Sequence, residues 1–510
     1  MPVDTQHPDY IARRLDYEQI AHNKAGERVV KAKGQRYLPK PEASDESDEN
    51  DARYAAYLLR AVFHNVVGRT VENLVGQCFS VAPVATVPDE MKFLIDDIDA
   101  AGNSAEQQSK LALDMVVSQS RAGLWVDYPP TGGVVSLADK EARDIRSRVI
   151  LVDPINIINW RVSLVGSQSK LSLIVIKERY IRSDDGFEAV YDDQYRVLKL
   201  VNSVYRQELW RKTDSAWVVY QSNTPTKDDG TTWDEIPFTC IGAKSNDIEV
   251  EKPLMLDISC LNFAHYRNSA DYEEAVFMVG QPTPVYSGLN EKWVSDVMKG
   301  KAYLGSRGGI MLPKDGKAEL LQAAPTTMAK DAMDQKELLM QALGARLVDK
   351  RQVKATATEA GIDESSETSV LASCVHNVTD AYGKVLRWAA LYEGFTVTDP
   401  LKDILYELND DFAVARMNPL ERAANRDDFA AGLILLEEAR DNLLSGGVAY
   451  VEDIQEFKDL MDAQHAAEMQ NAQTNLNMQT AAQLAVVQAK SGVPSTPPPV
   501  PAQKTKLFGK

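Results

Sequence analysis

Residues 264–277 read "AHYRNSADYEEAVF", and the turn-rich stretch "MVGQPTPVYSG" (278–288) follows them directly. A histidine, an arginine, two tyrosines and three carboxylates in one short segment resemble the contents of an active site. The segment belongs to a predicted helix that opens at Pro253, a position where the missing N–H of proline costs little. Whether the segment is catalytic or structural depends on whether its side chains converge on one point.

Helical geometry separates the histidine from the acids. At about 100° per residue, the side chains within about 40° of His265 are apolar or aromatic. They are Ile258, Leu261, Tyr272 and Val276. Arg267, Asp271 and Glu274 fall on the far side, where Arg267 and Asp271 have the spacing of an i,i+4 pair, and Glu273 lies about 80° from His265. A metal site or an acid–base pair needs convergent groups. We therefore predict a packed histidine in a structural helix.

A second helix is predicted after the turn-rich stretch. The two helices, 253–277 and 325–345, flank an insertion (278–324) in which glycine and proline separate short strand-like runs such as "TPVYS" and "KAELL". Helices joined in this way can lie antiparallel, with the insertion projecting from their shared end.

In the part of the chain before Pro253, the spacing of the apolar residues changes from that of a helix to that of a strand. Apolar residues follow a helical spacing from Tyr54 and again over about 104–122. Gly123 is the expected stop of this second helix. Residues 123–245 then alternate in short β-branched and aromatic runs, which predicts a largely antiparallel β-domain without βαβ units. Residues 1–53 are predicted to be an N-terminal arm. Its acid-rich part, 39–51, reads as an exposed loop or linker, and the alternative is a docking segment for a basic partner.

The downstream part is predicted to be helical. A polar break (346–365) precedes a long helix within 366–393, whose apolar positions alternate in steps of four and three. They are Leu371, Val375, Val378, Tyr382, Val385 and Ala389. Residues 417–462 resemble two or three shorter helices and 463–490 a weakly amphipathic one, whereas 491–510 are proline-rich and predicted to be disordered or extended. The fold class predicted for the whole chain is α+β.

The bulk composition excludes several protein classes. The 510-residue chain has a formal net charge of −18 and a pI near 4.9, which weighs against tight binding of nucleic acid through a basic surface. It remains compatible with a surface that DNA passes without sticking. The four cysteines, at 78, 240, 260 and 374, form no CxxC pair, so we expect no disulfide framework, no zinc site and a reducing cytoplasm. Neither a signal peptide nor a membrane span is expected.

The sequence offers no catalytic motif. Cys374 and His376 face opposite ways on a helix, and "LGSRGGIMLPKDGK" (304–317) has the glycines of a phosphate loop without its GK[ST] ending. We therefore expect no catalytic residue, no metal and no cofactor, and a protein that is not an enzyme.

Basic residues cluster in two places. One group lies in the insertion, at Lys292, Lys299, Lys301, Arg307, Lys314 and Lys317, and the other lies in the polar break, at Lys350, Arg351 and Lys354. Their spacing favours ordinary solvated side chains. The alternative is a set of sparse, weak contacts with phosphates.

In their order and in several of their residue stretches, these segments resemble the portal proteins (head-to-tail connectors) of tailed bacteriophages. The likeness covers about residues 54–460, and its most specific parts are the "HYRNSADYE" stretch with its following turns and the "TATEA" stretch. It implies a wing (54–252, with a long wing helix and return over 366–418), two stem helices (253–277 and 325–345) and a clip (278–324). It also implies a tunnel loop (346–365) and a helical crown (419–490).

The resemblance further implies a function and a set of partners. The chain would form a homo-oligomeric ring, usually a dodecamer, at one capsid vertex of the virion after synthesis in the bacterial host cytoplasm, with no membrane involved. Partners would be major capsid and scaffolding proteins, the terminase large subunit, a neck or tail adaptor, and double-stranded DNA bound without sequence specificity. Lys350, Arg351 and Lys354 would face DNA, the basic insertion residues would make clip contacts, and Arg267, Asp271 and Glu274 are candidate inter-subunit stem contacts. The alternatives are another ring-forming neck or adaptor protein, or an α+β hydrolase.

Overall fold

The chain forms two compact units, Met1–Phe412 and Ala413–Lys510. The computed structural model describes residues 2–130, 142–143, 145–213, 216–280, 283–288, 291–293, 295–296, 312, 314–321, 327–347, 369–395, 403–410 and 419–445, together with 457, 458, 461 and 480.

Helices dominate both ends of the described chain. Their bounds are α1 Pro8–Ala25, α2 Glu27–Ala32, α3 Asp48–Arg60, α4 Val66–Cys78, α5 Ala105–Gln119, α6 Leu256–Gly280, α7 Met328–Ala345, α8 Val370–Glu393, α9 Pro419–Ala430 and α10 Leu436–Ser445. Single helical turns occur at Gly34–Arg36, Asp89–Met91, Phe93–Asp96, Pro154–Asn156 and Glu291–Trp293.

The strands form antiparallel sheets. They are β1 Val84–Thr86, β2 Arg121–Asp127, β3 Arg148–Val152, β4 Ile157–Val165, β5 Gln168–Asp184, β6 Ala189–Val201, β7 Val204–Thr213, β8 Ala216–Asn223, β9 Phe238–Gly242, β10 Thr283–Ser287, β11 Lys317–Leu321 and β12 Leu405–Glu407. The order is β4-β5-β6-β7-β8 in the largest sheet and β3-β2-β9 in the next, and β1-β12 and β10-β11 form pairs. All of these pairings are antiparallel. Mixed helix and antiparallel sheet confirms the predicted α+β class.

The main core lies where the three-stranded sheet meets α5 and α8. Every residue of β2 is buried, and α8 packs against it, against β9 and against α5. The predicted stripe of α8 is confirmed, because all six of its side chains are buried. Short β1 pairs with β12 from the far end of this unit, Val84 opposite Glu407.

The N-terminal segment is not a separate arm, so this prediction is wrong for its first part. Tyr10 and Ile20 of α1 are buried in the main core, because a few large apolar side chains on one face suffice to anchor an otherwise polar helix. The acid-rich part is a loop that ends in α3, which starts at Asp48 with Ser47 as its cap. Its carboxylates are exposed.

Three helix boundaries differ from those predicted. The helix expected at Pro253 begins at Leu256, because the Leu254 N–H donates to Ser120 Oγ at 2.9 Å and the Met255 N–H to the Ser118 carbonyl at 3.4 Å. That helix continues to Gly280. The long helix starts at Val370 after the cap Ser369.

The second unit is described at its first two helices. In α9, the Asn425 side chain donates to the Ala439 carbonyl of α10 at 2.8 Å, and Asn442 donates back to Asn425 Oδ1 at 3.0 Å. Since Asn425 is buried, these bonds fix how the two helices pack.

Gly123 is not a helix stop. Helix α5 ends at Gln119, its C-cap Ser120 takes the left-handed conformation at φ 57°, and Gly123 lies within β2. A Cβ at this position would stand 2.6 Å from Phe238 Cζ and 2.9 Å from Ile157 Cδ1. The glycine is therefore set by packing of three strands rather than by helix termination.

We predict that Gly123→Ala destabilises the protein by about 1–3 kcal/mol, since a buried methyl group has no room. Chemical denaturation followed by circular dichroism measures the change. The matched control is Gly76→Ala on the exposed side of α4, where nothing lies within 4 Å of the added Cβ, and which should be neutral or stabilising by up to about 1 kcal/mol. Equal effects of the two variants would contradict the packing argument.

Candidate functional site

Helices α6 and α7 are joined by a β-hairpin. In the hairpin, β10 and β11 pair antiparallel, with Thr283 opposite Leu321 and Ser287 opposite Lys317. This pairing brings the end of α6 and the start of α7 together, and the two helices pack side by side and antiparallel. The 25 residues of α6 extend about 37 Å at about 1.5 Å per residue. The result is a helical strut with a hairpin at its tip.

A network of amides ties the first half of α6 to the body. The Asn262 side chain donates to Asn23 Oδ1 of α1 and to the carbonyl of His64, both at 2.9 Å. Asn23 in turn donates to Ser259 Oγ at 3.2 Å. Asn23, Asn262 and Ser259 are fully buried. Buried side-chain hydrogen bonds of this kind fix one relative position of α1, α6 and the segment before α4.

A cleft of about 530 Å³ lies between α4, α6 and α7, with His64, His265 and Glu337 in its wall. The His265 side chain is 3% exposed, and its Nε2 lies 3.2 Å from Glu337 Oε1. The rings of His64 and His265 meet edge to face at 5.5 Å between centroids. The predicted packed position of His265 is confirmed, and its polar partner comes from the second helix of the pair.

Burial controls the protonation of His265. It lowers the pKa of the ring below the ordinary 6.5, the neighbouring His64 and Lys336 act in the same direction, and the Glu337 carboxylate opposes the shift. A carboxylate only accepts hydrogen bonds, so the neutral ring carries its proton on Nε2 and donates it to Glu337. The contact joins the buried ring of α6 to an exposed carboxylate of α7.

The far face of α6 packs on α3. The Tyr57 hydroxyl donates to Asp271 Oδ1 at 2.6 Å, and Glu274 forms an ion pair with Arg60 and lies 3.9 Å from Arg53. Burial and the bond to Asp271 raise the pKa of Tyr57. Among the described residues Arg267 and Asp271 form no ion pair, and the Asp271 carboxylate accepts a hydrogen bond from Tyr57 instead. A role between subunits for Asp271 and Glu274 stays a prediction, and Arg267 is exposed.

The structure describes only some of the basic residues that were predicted to make contacts. Lys292, Lys314 and Lys317 are exposed around the hairpin. The remaining predicted contact residues lie outside the described residues; they are Lys299, Lys301 and Arg307 of the insertion and Lys350, Arg351 and Lys354 of the polar break.

The other candidate chemical groups do not converge. Cys374 is buried on α8, which raises the pKa of its thiol to about 12, whereas the His376 ring is 52% exposed and 3.4 Å from Asp410. Of the four cysteines, Cys260 is exposed and all are unbridged. Within the described residues, no three His, Cys, Asp or Glu side chains are placed to share a metal ion. No helix among those residues is long and apolar enough to cross a membrane.

The comparisons with known proteins add the following similarities. A family profile described as "Domain of unknown function (DUF4055)" matches residues 253–393, from the approach to α6 to the end of α8. No curated protein matches the sequence. The chain is similar to a solved chain of the virion of a native gene transfer agent particle, at 12% identity and TM-score 0.36, covering 75% of this chain and 89% of that chain.

Two further solved chains give similar values. One belongs to the neck of the native gene transfer agent particle computed with C12 symmetry, with the same identity, TM-score and coverage. The other belongs to the neck of the empty particle computed with C6 symmetry, at 12% identity and TM-score 0.35, covering 76% of this chain and 91% of that chain. TM-scores this low establish neither a shared fold nor a shared function.

We predict that acid weakens the α6–α7 junction through His265. Its folded-state pKa lies below the ordinary value of 6.5, so the unfolded chain binds the proton first and stability falls as pH drops through that value. Melting temperatures between neutral pH and about pH 5 should decline less steeply for His265→Gln than for the unmodified chain.

The control for this experiment is His376→Gln, which removes a half-exposed histidine and leaves the cleft intact. If His265→Gln and the unmodified chain lost stability with the same pH slope, His265 would have no part in the acid response.

Proposed function

We propose that this chain is the subunit of a portal-type ring, a non-enzymatic conduit through which double-stranded DNA enters a capsid and later leaves it. The observation that carries the proposal is the α6–hairpin–α7 unit, two antiparallel helices rooted in an α+β body with a β-hairpin at their shared end. A second support is the resemblance of "HYRNSADYE" and its surroundings to phage portal proteins. The coarser alternative is another ring-forming neck component.

The physical demands on a conduit suit this chain. Double-stranded DNA carries about one charge per 1.7 Å, and a strongly basic channel would hold it by counterion release. A net charge of −18 opposes such binding and lets DNA slide. The helix pair would supply rigid walls because Asn262 and Asp271 bond to the body and His265 bonds the two helices to each other. ATP hydrolysis for packaging belongs to a separate motor in this proposal.

Ring closure sets the kind of interface that is needed. Identical copies form a ring when two different patches of each copy meet head to tail and the rotation closes. The proposed oligomer is a dodecamer at one capsid vertex. The hairpin would meet the terminase and later the neck or tail adaptor, and the body would meet capsid and scaffolding proteins.

We predict that the purified chain forms rings with a central hole. Negative-stain electron microscopy and mass photometry of the full chain measure the ring and its subunit number. A monomer at micromolar concentration would contradict the proposal. A ring that packages no DNA in a complementation assay, but still joins heads to tails, would favour the neck-component alternative.

We predict that replacing Lys350, Arg351 and Lys354 together with alanine lowers the DNA retained in assembled particles. Each phosphate contact that is lost should reduce the slope of log affinity against log salt by about 0.9. The matched control replaces Arg206, Lys212 and Lys244 with alanine; these residues are exposed and lie outside the hairpin and the polar break, and their replacement removes the same charge. Unchanged packaging and salt slope in the first variant would mean that these residues are only solvated.

A further inference from the structure

A groove of about 630 Å³ runs between α1 and the largest sheet. One face of α1 forms its first wall with side chains four residues apart, and β5 forms the second. The lining side chains that matter are Tyr10, Arg14 and Glu18 from α1, and Lys177, Glu178 and Arg179 from β5. The groove belongs to none of the contacts that hold the α6–α7 pair.

The carboxylates of this groove are already neutralised. Both terminal nitrogens of Arg36 donate to Glu18 Oε2 at 3.0 Å. Arg196 binds Glu178 with two bonds of 2.6 and 3.1 Å. Neither acid is therefore available to a further cation, and both arginine partners come from outside the groove's lining.

The positively charged side chains of the groove are not all paired with a carboxylate. Lys177 pairs with Asp193 at 2.8 Å, but Arg14 and Arg179 have no ion pair within the residues that the structure describes. The Nε of Arg14 is buried and without a hydrogen-bond acceptor. A desolvated donor of a charged group without a partner is costly. Arginine is also the side chain best suited to bidentate binding of carboxylates, so the groove has the chemistry of a receptor for an acidic side chain.

The same chain exposes a complementary acidic segment at residues 42–51. All six of its carboxylates are exposed: Glu42, Asp45, Glu46, Asp48, Glu49 and Asp51. The buried Asn50 side chain donates to the carbonyls of Glu42 and Asp45 at 2.8 and 2.7 Å. This bond pair fixes the backbone, so the carboxylates are presented outward with little ordering left to do on binding.

We propose that the acidic segment of one copy docks in the arginine groove of the next copy. The inference rests on the proposed ring and names one of its interfaces. Groove and segment are different patches of the chain, as head-to-tail closure requires, and among the described residues no hydrogen bond or ion pair joins them within one copy. In a chain of net charge −18, unpaired arginines in a groove also steer association toward a fellow acidic surface.

The test reverses charge on each side separately and then on both. The groove variant is Arg14→Glu with Arg179→Glu, and the segment variant is Glu46→Lys with Glu49→Lys, whose side chains make no described hydrogen bond. Each variant alone should weaken ring assembly about tenfold or more, measured by mass photometry across a concentration series. An equal mixture of the two variants, or all four changes in one chain, should restore rings.

The matched control is Arg206→Glu with Lys212→Glu, two exposed cations on β7 with the same change in net charge. It should assemble as the unmodified chain does, and each variant monomer should keep its melting temperature. Rings unaffected by the groove or segment variants, or no restoration on mixing, would overturn the docking while leaving the ring itself intact. If the unmodified chain formed no ring, the proposed function would be contradicted, and so would the docking that rests on it.

Discussion

The structure depends on satisfying the polar side chains of one helix, α6. Asn262 bonds to α1 and to His64, His265 to Glu337 of α7, and Asp271 to Tyr57 of α3. Asn262 and His265 are buried, so their partners replace the water that these side chains lose on burial, and an unmade bond of this kind costs about 1–3 kcal/mol. The partners thereby specify how the N-terminal helices, the cleft and the second strut helix are arranged around it.

Local patterns in the sequence were enough to predict the repeated elements. The spacing of Val375, Val378 and Tyr382 predicted the buried face of α8, because a helix places such residues on one side whatever its neighbours are. The antiparallel strands followed from their period of two and the turns between them. The prediction of a helix stop at Gly123 is wrong, since the glycine is required by the close approach of Phe238, which lies more than a hundred positions away.

The candidate site was predictable only in part, for the same reason. Angular positions on one helix placed His265 in the interior, but they could not supply Glu337, which is 72 residues distant. Asp271 was paired with Arg267 on local spacing, and the partner in the structure, Tyr57, lies 214 residues away. The N-terminal arm was misjudged because α1 is mostly polar, and its few buried side chains, such as Tyr17 and Ile20, carry no strong periodic signal.

The net charge of the chain and the exposed apolar side chains of the strut together limit where copies of the chain can associate. In the half of α6–α7 nearest the β10–β11 pair, large apolar side chains are exposed, including Phe277, Met278 and Met328. Exposed apolar side chains grouped on one element are typical of surfaces that another molecule covers. A monomer of net charge −18 would repel its own copies over most of the surface. Association of copies would therefore need local sites where apolar burial or unpaired cations outweigh that repulsion, and the proposed ring would provide such a site at every subunit.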